Sequence, residues 1–199
     1  NSAGENEKLE NVQFSLDGTM NISGTATPVN IDNSNVERQV YITGNGKLEV
    51  ENNATLNYSG NIAARDEGSS ASAAIVVEDT GTLGLSHGAM TMLKPETQTY
   101  GVPANRVGIQ LEGAGVLDFD NYIVNADIEG TLNGGDSGTL QGTLSAKGKS
   151  RITGNVTNIK DIKVTDNGML TFGANSKIES GATSGTTATP INLTDGKMG

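Results

Sequence analysis

The chain has 199 residues, no Cys, 27 Gly, 34% hydrophobic and only 4% aromatic residues, and a formal net charge of -10. These values exclude disulfides and thiolate metal sites, and they argue against nucleic acid and anionic membrane surfaces, because the 13 basic residues form no run. Aromatic material is too scarce for a globular core of large side chains, while Leu, Ile, Val and Met return too regularly for a disordered polymer.

In chain order, Val12-Gln13-Phe14-Ser15-Leu16 alternates and leads into Asp17-Gly18-Thr19-Met20-Asn21-Ile22. The second phrase recurs as Asn45-Gly46-Lys47-Leu48-Glu49-Val50, Thr80-Gly81-Thr82-Leu83-Gly84-Leu85, Ala114-Gly115-Val116-Leu117-Asp118-Phe119 and Asn167-Gly168-Met169-Leu170-Thr171-Phe172. A partial copy, Asp195-Gly196-Lys197-Met198, follows. Alternation with a period of two places Leu48 and Val50 on one face and Lys47 and Glu49 on the other, so each copy predicts a short strand with one buried face. The preceding Gly is expected to supply a backbone conformation that other residues resist.

A second class of strand comes before these phrases: Val40-Tyr41-Ile42, Ile75-Val76-Val77, Ile109-Gln110-Leu111, Ile162-Lys163-Val164 and Ile191-Asn192-Leu193. Asn52 to Tyr58 adds a third strand to one unit. The segment Ala26-Thr27-Pro28-Val29-Asn30-Ile31-Asp32 has a near twin in Ala188-Thr189-Pro190-Ile191-Asn192-Leu193-Thr194-Asp195, which implies one structural slot used twice. Each strand is too short to bury its apolar stripe alone, and stacking one coil on the next solves this. The expected fold is all-β: a right-handed parallel β-helix (β-solenoid) of roughly eight or nine coils at about 4.8 Å each. The competing architecture is an antiparallel sandwich.

One continuous body is expected over 1–199, a fragment of something longer, because the chain begins and ends within repeat material and its first residues lack the basic and apolar segments of a signal peptide. No apolar run is long enough to span a membrane. The longest interruption, 86–106, is read as an extruded loop, and its His87, Met90, Met92, Lys94, Tyr100 and Arg106 are the candidate binding residues, since rigid scaffolds carry function on loops. Met90-Thr91-Met92-Leu93 also reads as strand, with Met90 and Met92 on its inward face. His87 is the only His, which leaves a metal site dependent on carboxylates and a Ser-His-Asp arrangement with one candidate base.

Asp118 with Asp120, and Asp127 with Glu129, are spaced to share strand faces, and paired carboxylates are what polysaccharide cleavage uses. Val116 to Gly130 holds no Lys or Arg to act beside them, so a solvated outer face is the favoured account. Gly135-Asp136-Ser137-Gly138 lies between Thr-Leu repeats and is read as a corner, and Gly148-Lys149-Ser150 lacks the upstream Gly of a phosphate loop. No cofactor, metal or catalytic residue is expected.

With its repeated Gly-x-Leu-x-apolar phrases, its Ala-Thr-Pro-Val/Ile-Asn-Ile/Leu slots, its acidic charge and its lack of Cys, the chain resembles the passenger domain of a Gram-negative type V autotransporter over Val12 to Met198. That resemblance implies a right-handed parallel β-helix displayed outside the outer membrane through an anchor not present here. It further implies a non-catalytic adhesin segment or stalk that attaches to a host receptor protein or glycan, or to another bacterial surface. The alternatives are a polysaccharide lyase or hydrolase of the β-helix class and a self-associating aggregation module.

Overall fold

The computed structural model describes residues 8–10, 14–16, 19–23, 28–33, 39–43, 46–65, 73–93, 106–131, 140–179, 191–193 and 196–198. Among them there are strands and turns and no helix. A seven-stranded sheet holds β3 (Thr19–Ile22), β6 (Lys47–Val50), β8 (Ile75–Val77), β10 (Ile109–Leu111), β12 (Ile128–Gly130), β15 (Val156–Thr157) and β18 (Ile178–Glu179). A thirteen-stranded sheet is built on β1 (Lys8–Glu10), β4 (Val29–Asn33), β7 (Thr55–Arg65), β9 (Thr82–Leu93), β11 (Val116–Asn125), β13 (Gln141–Lys147), β16 (Ile159–Val164) and β19 (Ile191–Leu193). Its other members are β2 (Phe14–Leu16), β5 (Gln39–Ile42), β14 (Lys149–Ile152), β17 (Met169–Phe172) and β20 (Lys197–Met198).

The larger sheet folds into two faces, because β7, β9 and β11 each run across both. The first half of β7 pairs with β4 and its second half with β5; β11 likewise pairs with β13 and then β14. With the seven-stranded sheet this makes three faces, visited in turn by successive coils. Every pairing among the described residues is parallel, for instance β7 with β9 and β10 with β12. Parallel strands in stacked sheets are the arrangement of a β-solenoid, and an antiparallel sandwich does not fit them.

The core follows from the alternation. Leu56, Leu83, Leu117, Leu144 and Ile162 stand in one register column, each at most 1% exposed, with Tyr58, Leu85, Phe119, Ala146 and Val164 in the column beside it. Each buried Leu contributes about 2 kcal/mol of transfer free energy, so the stacked columns, not any one coil, stabilise the body. The twin segments occupy one slot: Val29, Asn30 and Ile31 lead by unbroken register through β7, β9, β11, β13 and β16 to Ile191, Asn192 and Leu193.

The Gly phrases are not one per coil, as the sequence pattern implies. They mark corners, and they mark all three: Lys47–Val50 lies in the smaller sheet, Thr82–Leu85 and Val116–Phe119 on the first face of the larger sheet, and Met169–Phe172 on its second. In each the glycine N–H donates to the carbonyl three residues back, at 2.8 Å for Gly46, Gly81 and Gly168 and 3.0 Å for Gly115. The reason for Gly also differs from expectation. These four glycines do not have positive φ; neighbouring residues do, at Thr80 (64°), Gly113 (51°) and Asn167 (57°). What excludes a side chain is the coil below: a Cβ would meet the Leu16 carbonyl oxygen at 2.1 Å from Gly46 and that of Val77 at 2.7 Å from Gly115.

The bend between the two faces of the larger sheet keeps its own column of positive-φ residues: Gly60 (126°), His87 (50°), Asn121 (51°), Gly148 (53°) and Asp166 (54°). Side-chain acceptors join the corners of successive coils. Asn61 Oδ1 accepts from the Ala89 N–H at 2.9 Å, Asn121 Oδ1 from Lys149 at 3.0 Å, Asp79 Oδ1 from Ala114 at 2.7 Å and Asp127 Oδ1 from Asn155 at 2.7 Å. Asn and Asp suit these places because they carry a short acceptor, and Asn121 also tolerates the left-handed backbone of its position.

Candidate functional site

The candidate binding residues of 86–106 do not form one surface. Residues 86–93 are the second half of β9, not the start of a loop, in line with the strand reading of Met90 to Leu93; His87 makes the bend inside that strand. His87 is exposed there, in the slot that Gly60, Asn121 and Gly148 fill in other coils. Met90 is fully buried between Ile62 and Val124, and Met92 is half-buried against the core, as inward positions of a strand. Lys94 and Tyr100 lie outside the described residues.

Arg106 is 4% exposed and braces the third corner, from the larger sheet back to the smaller one. Its guanidinium donates to the carbonyl of Arg65 at 3.0 Å, to that of Ala73 at 3.5 Å and to that of Gly46. It ties its own coil to the carbonyl groups of the two coils before it, so Met90 and Arg106 serve the interior and are withdrawn from a surface ligand. Nothing in the local sequence distinguishes this Arg from an exposed one; its partners lie 41, 33 and 60 residues away.

The two carboxylate pairs lie on different sheets, and Asp118 and Asp120 do share an outward face. Asp118 and Asp120 point outward from β11 in the larger sheet, Glu129 belongs to β12 in the smaller one, and Asp127 is engaged in joining a corner. One residue missed by sequence reasoning now stands beside them. The register of β11 on β13 places Lys147 opposite Asp120, 27 positions on in the chain, which supplies the cation that Val116 to Gly130 lacks.

The described residues line two grooves that bear on these groups. The larger, about 470 Å³, runs along the corner between the smaller sheet and β7–β11, lined by Asn52, Glu78, Asp79, Glu112, Thr131 and Gln141. Its Glu78 carboxyl titrates above the ordinary Glu value, first because of partial burial, then because it hydrogen-bonds to Glu49 and feels its charge, with Glu112 adding to the repulsion and the Asn52 backbone opposing it. The smaller groove, about 270 Å³, lies on the first face of the larger sheet, among Asn57, Gly84, Ser86, Asp118, Asp120 and Lys147. No group of three or more His, Cys, Asp or Glu among the described residues is placed to hold a metal ion. Comparison with protein-family models, with curated proteins and with solved structures gives no match, so the argument for function rests on the chain itself.

Proposed function

We propose that the chain is a non-catalytic segment of a cell-surface adhesin, a rod that presents binding surface or spaces it from the cell. The single observation that carries this is the division of labour across the coil: a thin aliphatic column holds the body together, and the outward positions of all three faces stack in register as long polar surfaces. Nearly every second residue is then available for recognition. A right-handed β-helix is the finer form of the fold proposed, since about 98% of parallel crossovers within one sheet take that hand. The resemblance to type V passenger domains supports display outside a Gram-negative outer membrane through an anchor elsewhere. The partner is a host receptor protein or glycan, or a second bacterial surface.

The test is attachment of the purified 199-residue chain to immobilised host glycans, matrix proteins and bacterial surfaces. A variant in which residues 94–105 are replaced by a short Gly/Ser linker goes alongside. Met90 stays in place, because it is a core residue. Attachment that is lost with the replacement puts recognition on that segment; attachment that persists puts it on the faces; none at all makes the segment a stalk.

A second reading, a polysaccharide-cleaving enzyme, is favoured by the placing of Lys147 opposite Asp120, with Asp118 on the same strand face. New reducing ends, or unsaturated products absorbing in the ultraviolet, after incubation with neutral and acidic glycans would replace the adhesin reading with this one.

A further inference from the structure

The outward column of the first large-sheet face reads Asn30, Asn57, Gly84, Asp118, Ser145, Lys163 from coil to coil. Its first rungs form a ladder, with Asn57 Nδ2 donating to Asn30 Oδ1 at 2.9 Å. The ladder stops at Gly84, where a Cβ would lie 2.7 Å from Asn57 Oδ1. A rung is therefore missing, and the gap is the 270 Å³ groove, just under the usual range of small-molecule sites. Its floor is strand backbone, flat because Gly84 has no side chain.

The polar groups around the gap define what fits it. Asn57 has committed its amide N–H to Asn30, which leaves its Oδ1 facing the gap, and Ser86, Asp118 and Asp120 stand around it. Asp120 Oδ1 accepts from Asn121 Nδ2 at 2.8 Å, so its second oxygen is the one it offers. Lys147, at the far edge, is the donor; its Nζ lies 3.6 Å from Asp166 in an exposed pair that costs little to rearrange. A ligand here must donate several hydrogen bonds from a small frame and accept one. Hydroxyl groups do both. A sulfated or uronate sugar meets two carboxylates of like charge, and a divalent cation lacks a third carboxylate.

We infer that the gap at Gly84 is a binding site for one or two rings of a neutral saccharide, held by Asn57, Ser86, Asp118, Asp120 and Lys147 with one ring face on the Gly84 backbone. This rests on the adhesin reading, and names its ligand class and its site.

The experiment is saturation-transfer NMR and titration calorimetry on the full chain with maltotriose, laminaritriose, mannotriose and galactotriose. A heparin tetrasaccharide, trigalacturonate and a chitosan trimer serve as charged counterparts. At least one neutral trimer should bind, Gly84→Ser should abolish its signal by filling the gap, and Asp118→Asn should weaken it tenfold or more with the melting temperature unchanged. Asp118→Asn guards against a folding defect in Gly84→Ser. Failure of all four neutral trimers at millimolar concentration, preference for a charged one, or binding indifferent to both substitutions overturns the site. Surface attachment that survives both substitutions sinks this site and leaves the adhesin reading standing; binding of a free trimer without surface attachment does the reverse.

Discussion

Two corners of the coil solve the same problem in different ways. At the bend between the two faces of the larger sheet β7, β9 and β11 each turn within the strand through one positive-φ residue, and Asn61 and Asn121 join one coil to the next through backbone N–H groups. At the return to the smaller sheet, between β7 and β8 and again between β9 and β10, the buried Arg106 gathers carbonyl groups from the two coils before its own. The first corner is a local device repeated in the coils of β7, β9, β11, β13 and β16. The second depends on one side chain whose partners are far off in sequence.

The largest expected effect comes from breaking the second device. Arg106→Met keeps the apolar stem but strands carbonyls that a charged donor satisfied, and should cost about 3 kcal/mol, read as a lower urea midpoint with little change in strand content. An effect under 1 kcal/mol would show that water serves those carbonyls equally well. Next, Asn121→Ala removes the acceptor for Lys149 N–H and puts a Cβ-bearing residue with no local hydrogen bond at φ 51°, a loss of about 1–2 kcal/mol; Asn121→Gly should recover about half. The same corner predicts a gain. His87 sits at φ 50° and its imidazole makes no hydrogen bond to the other described residues, so His87→Gly should raise stability by about 1 kcal/mol in thermal unfolding. A loss instead would reveal a role for the imidazole.

The smallest effect lies at the remaining corner, where Glu49, Glu78 and Glu112 gather. The Glu78 carboxyl is raised in the folded chain, so the native state holds that proton more tightly than the unfolded one. Its contribution is full below the ordinary Glu value of 4.5 and is lost as pH rises through the folded value. Glu78→Gln should therefore stabilise slightly at pH 7, and the difference from wild type should vanish at acidic pH. A constant difference across that range would mean that Glu78 acts by packing and not by charge.

These corners also show what the sequence makes legible. Alternation in Lys47–Val50 or Val116–Phe119 reveals strands, and the Ala-Thr-Pro twins reveal a shared slot, because both signals are local or repeated. Which face a strand occupies is not local: neighbours in register are separated by 18 residues between Ser145 and Lys163 and by 34 between Gly84 and Asp118. The placing of Lys147 by Asp120 and the burial of Arg106 follow from those separations, which no periodicity carries. Residues 86–89 misread for the opposite reason: in the sequence they run into a stretch marked by Pro95 and Pro103, while the strand that holds them bends at His87 instead of ending.

The same uneven separations have an evolutionary meaning. A rung is defined by the strand below it, so the number of residues spent between rungs is free to change while each aliphatic column stays intact. Insertion and deletion at a corner are then nearly neutral for stability, and a chain of this design can try new recognition segments one coil at a time without refolding the others.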